Sequence, residues 1–170
     1  MAILEGGQVL AKALKGEDVE YLFTLCGGTI ESIYEGCLNE NIKIIDTRLD
    51  QSATMMADAY ARVTGRVGVS AVTRGPGHAN MLYGLATAYM MGSPVFALSG
   101  SSDADELDMG GSQEYNQVGM VKPITKWARL VTQTKRLPEY VATGFRKALG
   151  GRPGPVHLSV PYDVLYDKID

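Results

Sequence analysis

The chain has 170 residues, a formal net charge of −3 and 45% hydrophobic residues. That length suits one domain, residues 1–170, able to bury roughly 70% of the surface its unfolded chain exposes. A near-neutral balance with no basic stripe argues against nucleic-acid and anionic-membrane partners. No signal peptide or apolar run of about 20 residues is present, which leads to the expectation of a cytoplasmic protein. Cys26 and Cys37 are only two and flank a predicted helix, which argues against a disulfide framework.

Helix and strand patterns alternate along the chain. Gly6 to Lys15 places Val9, Leu10, Ala13 and Leu14 at helical spacing, and Tyr21 to Leu25 reads as a strand. Thr29 is a candidate cap for a helix carrying Ile30, Ile33, Tyr34 and Leu38. Strand Ile42–Asp46 is followed by helix Gln51–Thr64, with Asp50 at or near its N-terminus and Gly65 as a stop. Strand Val67–Thr73 leads to Gly75-Pro76-Gly77, which opens helix Ala79–Met91 with Pro where its missing N–H costs little. Strand Val95–Ser99 precedes a Gly-, Ser- and Asp-rich loop from Ser99 to Ser112, long enough to suggest a functional or partner-bound role. A short helix near Tyr115–Val121, strand Trp127–Val131, helix Pro138–Leu149 and strand Val156–Val160 complete the pattern. Six strands alternating with six helices predict an open parallel six-stranded α/β sheet covered on both faces.

This arrangement puts a carboxylate, Asp50, and a bare glycine loop on one rim of the sheet, where ligands of open α/β sheets bind. Neither the Gly-x-Gly-x-x-Gly spacing nor a P-loop occurs, so the glycines are not a nucleotide fingerprint. Taken alone, Gly27, Gly28, Gly75 and Gly77 read as turn residues. In a site, their missing Cβ atoms let backbone approach a planar ring. Arg74 and His78 flank the Gly-Pro-Gly loop, where they suit an anionic group of a substrate or a carboxylate of a partner; the plainer reading makes Arg74 a solvated charge and His78 a packing residue. His157, inside the last strand, reads as a satisfied core or surface histidine, and Trp127 and the scattered Met residues read as core filler.

Several motifs occur in a fixed order: Val19-Glu20-Tyr21-Leu22-Phe23 before Gly27-Gly28, Ala57-Asp58-Ala59-Tyr60-Ala61-Arg62 before Gly65, and Gly75-Pro76-Gly77 before Asn80. Gly84-Leu85-Ala86, Ser93-Pro94, Gln113-Glu114, Lys122-Pro123-Ile124-Thr125-Lys126 and Gly151-Arg152-Pro153-Gly154-Pro155 follow. In this order the chain resembles, almost end to end, the N-terminal pyrimidine-binding (PYR) domain of thiamine-diphosphate enzymes, in the branch of acetolactate synthase and 2-hydroxyacyl-CoA lyase.

The resemblance implies thiamine diphosphate as cofactor, with Asp50, Gly27, Gly28, Gly75, Pro76, Gly77 and Asn80 contacting it. In the family a carboxylate hydrogen-bonds to the pyrimidine ring nitrogen and helps shift the aminopyrimidine to its imino form. The family usually carries Glu in an Arg-His-Glu-Gln-like string; here the string is Arg48-Leu49-Asp50-Gln51, one methylene shorter. Gln113 aligns with the Gln of a Phe-Gln-Glu pattern and is expected at the reacting centre, although Ser112 replaces the aromatic. Arg74, His78 and Gln113 are candidate substrate contacts. The family's Gly-Asp-Gly motif, which binds Mg²⁺ and the diphosphate, does not occur here. The resemblance therefore implies the pyrimidine-binding subunit of a split enzyme, completed by a Mg²⁺- and diphosphate-binding partner subunit in an α₂β₂ heterotetramer. The implied chemistry makes or breaks a C–C bond next to a carbonyl of a 2-oxoacid or acyl-CoA, as in decarboxylases, carboligases and lyases. A non-catalytic structural or regulatory domain of the same fold stands as the alternative.

Overall fold

The computed structural model describes residues 3–170. A short strand β1 (Leu4–Glu5) runs into α1 (Gly6–Gly16), followed by β2 (Tyr21–Thr24), α2 (Glu31–Asn39) and β3 (Lys43–Asp46). Next come α3 (Asp50–Thr64), β4 (Gly68–Val72), α4 (Pro76–Met91) and β5 (Val95–Ser101). The chain continues through α5 (Gln117–Val121), β6 (Trp127–Leu130), α6 (Leu137–Leu149) and β7 (Val156–Pro161), then α7 (Tyr162–Tyr166) and β8 (Lys168–Ile169). Six strands form one sheet in the order β3-β2-β4-β5-β7-β6, every neighbouring pair parallel. β1 and β8 form a separate antiparallel ribbon that pairs Leu4 with Ile169 and Glu5 with Lys168.

This is the parallel α/β architecture that the alternating pattern predicts. β4, β5 and β7 are buried at every residue, as strands covered on both faces must be. One face buries Leu10, Leu14, Ile33 and Phe145 against Leu22, Val69, Phe96 and Leu158. The other buries Ala53, Ala57, Met81, Leu85 and Ala88 against Val72, Val95 and Ala97. The second core is built from smaller side chains, so its helices approach the sheet closely. Cys37 lies in the first core with its thiol pushed up to about 12 by burial, Cys26 is exposed, and both are free.

Several boundaries differ from the sequence reading. β1, β8 and α7 are only two to five residues long and carry no readable period. α4 begins at Pro76, three residues before the predicted start, because its first turn is apolar-poor and glycine-bearing. β5 runs on to Ser101, which moves the start of the long loop. Ile30, not Thr29, occupies the cap position of α2; the Thr29 hydroxyl instead meets that of Thr73 at 2.9 Å and accepts from Arg74 N–H at 3.3 Å. Gly65 does stop α3, with φ 72°. The methionines are largely not core: Met81 is buried, but Met55, Met56, Met90, Met91, Met109 and Met120 are exposed.

Gly68 shows how tightly the second face is built, since a Cβ there would sit 2.0 Å from the Ala57 carbonyl oxygen. Helix α3 and strand β4 would have to part to admit a methyl group. Gly68→Ala is expected to destabilise the fold by about 3 kcal/mol, the upper part of the range for overpacking, read as a lowered midpoint in urea unfolding.

Candidate functional site

From β2 the chain crosses to β3 on one side, and from β4 it crosses to β5 on the other. The winding thus reverses between the adjacent strands β2 and β4, which opens a crevice at their C-terminal ends. The turn after β2 carries Gly27 and Gly28, and the turn after β4 carries Thr73 to Gly75 and leads into Pro76 and Gly77 at the start of α4. Gly27 lies so close to Thr73 that a Cβ would be 2.4 Å from the threonine Cβ, whereas Gly28 faces open space. The two turns therefore pack on one another through Thr29 and Thr73.

Asp50 arrives from the neighbouring strand end as the first residue of α3, in the favourable field of the helix N-terminus. It caps nothing with its side chain: the cap position belongs to Leu49. The carboxylate is 6% exposed and turned toward α4. Oδ2 accepts a hydrogen bond from Asn80 Nδ2 at 3.2 Å, and Oδ1 is buried with no hydrogen-bond partner. Gly77 makes this approach possible, since its Cβ would lie 3.0 Å from Oδ1. A buried carboxylate oxygen without a donor is costly, and an N–H donor of a planar ring is the kind of group it lacks. Pro76 is exposed at the first position of α4.

Beside this centre is a cleft of about 430 Å³ lined by Gly28, Thr29, Thr73, Arg74, Asp103, Glu106, Gln113 and Tyr162. Arg74 and Gln113 thus share the rim cleft. Gln113 holds φ 61°, a conformation rare for a residue with a side chain. The structure separates His78 from them: it is fully buried and its Nδ1 lies 2.6 Å from the Tyr115 hydroxyl. In this arrangement His78 is an internal residue and does not face the cleft, because its helix turns it toward the sheet.

Gln117 and Tyr115 were not singled out by the sequence reading. Gln117 is 5% exposed and accepts from Gly75 N–H at 3.0 Å, while its amide donates to Ser99 Oγ, Gly100 O and Ser159 Oγ. Tyr115 donates to Gly75 O at 3.0 Å. The available signal was a polar residue at the inward position of a short amphipathic turn, four residues before buried Val121.

His157, on β7, is fully buried with Nε2 2.9 Å from Ser99 Oγ. Its ring meets that of His78 edge-on at 5.0 Å. Because the Tyr115 proton goes to Gly75 O, the N–H between Tyr115 and His78 belongs to His78 Nδ1. That leaves His78 Nε2, like His157 Nδ1, without a partner. Burial lowers the pKa of His78 to about 4 and that of His157 well below its ordinary value, the latter helped by the neighbouring His78. Tyr115 is pushed up to about 12 by burial.

Among the described residues no group of three or more His, Cys, Asp or Glu side chains is placed to hold a metal ion, and no helix is long and apolar enough to cross a membrane.

The two imidazoles dictate a pH dependence. Their folded-state pKa values lie below the ordinary 6.5, so below that pH the unfolded chain binds protons that the folded chain refuses. Their contribution is complete above pH 6.5 and is lost as pH falls toward 4. Between pH 7 and pH 5 the unfolding free energy is expected to drop by about 2 kcal/mol or more. Urea titrations at the two pH values check this, and a His78→Gln/His157→Gln double variant should flatten the dependence.

Comparison with known proteins agrees with this geometry. The family described as thiamine pyrophosphate enzyme, N-terminal TPP binding domain, matches residues 4–120. The chain is 39% identical over 161 residues to 2-hydroxyacyl-CoA lyase 2 of Xenopus laevis, covering 95% of this chain and 25% of that protein. It is 36% identical over 167 residues to a probable acetolactate synthase large subunit of Methanocaldococcus jannaschii, covering 98% and 28%. Against the catabolic acetolactate synthase of Raoultella terrigena it is 36% identical over 160 residues, covering 94% and 29%. The chain therefore spans little more than a quarter of these relatives' length, in the region of the pyrimidine-binding fold. By its sequence, and by a parallel sheet that brings the glycine turns and an acid to one rim, the chain belongs to the thiamine pyrophosphate enzymes, as their N-terminal TPP-binding domain.

Proposed function

We propose that residues 1–170 act as one unit, the pyrimidine-binding subunit of a split thiamine-diphosphate enzyme that makes or breaks a C–C bond next to a carbonyl. The observation that carries this reading is Asp50: its Oδ1 is buried without a donor, directly beneath Gly77 in the Gly-Pro-Gly loop. When bound, thiamine diphosphate would supply an electron sink for the electron pair left on the carbonyl carbon when its C–C bond breaks. The residues present suit its pyrimidine end. Asp50 offers a carboxylate oxygen to a ring N–H, and Asn80 holds the other oxygen in place. Gly75, Pro76 and Gly77, with Gly27 and Gly28 opposite, form a rim without bulky side chains that a flat ring can approach. Gln113 and Arg74, in the adjoining cleft, would meet the substrate, with Arg74 suited to a carboxylate or phosphate. His78 supports the Gly-Pro-Gly loop from inside, through the Tyr115 hydroxyl that donates to Gly75 O.

The diphosphate and its Mg²⁺ would take ligands from outside residues 1–170, which hold neither the Gly-Asp-Gly string nor, among the described residues, a metal-binding cluster. In the reading proposed, a diphosphate-binding subunit holds them in a cytoplasmic α₂β₂ complex. Support for a paired arrangement comes from α3 and α4, which expose Met55, Met56, Val63, Tyr83, Tyr89, Met90 and Met91, more apolar surface than a helix facing water carries. The relatives carry the names acetolactate synthase and 2-hydroxyacyl-CoA lyase; for this chain the corresponding substrates are a 2-oxoacid or an acyl-CoA. A second reading, a non-catalytic domain, is favoured by one observation: the Asp50 carboxylate is almost wholly covered.

Asp50→Asn decides between the two. In a complex reconstituted with a diphosphate-binding chain, the variant should lose about 10²-fold or more in exchange of the cofactor's C2 proton, the scale of a lost general acid–base group. The amide preserves size and can still accept from Asn80, so the unfolding midpoint should hardly move, and this chain alone should show no turnover. Full turnover by the variant would leave the structural reading. On the assembly, sedimentation velocity should give a dimer or larger for the chain or its complex, and Met56→Glu/Met90→Glu should shift it toward smaller species.

A further inference from the structure

We propose that Gln117 and Tyr115 are positioning residues, which grip the Gly75 peptide from both sides and thereby set where the Gly-Pro-Gly loop stands relative to Asp50. The inference rests on the reading of that loop as part of the cofactor rim. Gly75 adopts φ 62° and ψ −118°, a conformation closed to residues with a side chain. A Cβ there would also strike Gln113, at 2.5 Å from its Cβ. Such a peptide has no strand or helix partner on its N–H side to define it. Gln117 Oε1 supplies that partner at 3.0 Å, and the Tyr115 hydroxyl takes the carbonyl at 3.0 Å, beside the first helical bond from Ala79 N–H.

The grip is referenced to the middle of the sheet. The same Gln117 amide that faces Gly75 donates to Ser99 Oγ at 2.9 Å, Gly100 O at 2.8 Å and Ser159 Oγ at 3.0 Å, at the C-terminal ends of β5 and β7. A single buried side chain therefore ties two strand ends to the loop, and two residues further on Gly77 lies against Asp50 Oδ1. Its acceptor and both of its N–H groups are engaged, so the amide cannot turn over without breaking bonds in the core. Gln113 and Tyr115 sit on the same short segment as Gln117, so the cleft wall and the loop clamp move together.

Amide exchange at Gly75 followed by NMR, and half-saturation by thiamine diphosphate with Mg²⁺ in the reconstituted complex, test the proposal. Gln117→Met keeps the length and removes the acceptor; Gly75 N–H should then exchange about tenfold faster, while Val69 and Ala71 in β4 keep their rates. Half-saturation should rise about tenfold with kcat reduced less than about threefold, because the binding surface loosens more than the chemistry. Tyr115→Phe removes one hydroxyl from a half-buried ring and should move both readouts in the same direction by about threefold; it carries the test if Gln117→Met fails to fold. Unchanged Gly75 exchange, exchange that rises equally throughout β4, or a freed Gly75 with unchanged half-saturation would each overturn the proposal. Asp50→Asn in the same complex separates the two levels. If it is crippled while Gln117→Met is silent, only the clamp is wrong; if both are silent, the cofactor reading falls with it.

Discussion

Parallel strands connected in opposite senses on either side of a central pair leave the ends of that pair uncovered. In this chain the pair is β2 and β4, and the reversal is unavoidable once β3 lies outside β2 and β5 outside β4. The crossing helices lead away from the gap, so only turns border it. Everything distinctive about the rim follows: the glycines of two turns face each other, and the helix that leaves the next strand presents its first residue to them. A buried carboxylate is tolerable there because Asn80 and the N-terminus of α3 offset part of its charge.

The two faces of the sheet solve their packing differently. Long aliphatic and aromatic side chains fill the α1, α2 and α6 face, where Phe96 and Phe145 meet with centroids 5.0 Å apart. Alanines dominate the α3 and α4 face beside Met81 and Leu85, and most of the other large apolar residues of those helices point outward. That inversion keeps α4 close to the sheet, and the Gly-Pro-Gly loop at its start is correspondingly close to Asp50. It also carries a cost, since His78 and His157 are enclosed beside one another with one ring nitrogen each unpartnered.

The fold was legible because its strands are buried on both faces: Val95–Leu98 stands out as an uninterrupted apolar run after Pro94, and Val156, Leu158 and Val160 mark a strand bracketed by Pro155 and Pro161. The rim was legible for a related reason: two glycines either side of a proline mark a tight turn into the start of a helix. The partners of those groups were not. Nothing in the periodicity of residues 115–121 says that Gln117 reaches across to Gly75, because a contact spanning 42 residues depends on how strands are ordered. His78 offered two readings, a substrate contact beside the glycine loop or a packing residue, and in α4 it follows Gly77 round the helix into the interior. Thr29 did mislead: it has the chemistry of a cap, and that chemistry is spent on Thr73 and Arg74.

The ribbon of β1 and β8 has a mechanical meaning. Leu4 pairs with Ile169 and Glu5 with Lys168, so the two strands enter the fold side by side from the same end. Tension between those ends pulls across the ribbon and loads its backbone bonds one pair at a time, as in unzipping. Because antiparallel bonds lie perpendicular to the strands, they take that load along their own axes and give way singly. The ion pair of Lys168 and Glu5, 3.6 Å long at the surface, adds little resistance. Force would therefore peel this corner open at low load, well before the six-stranded sheet feels it.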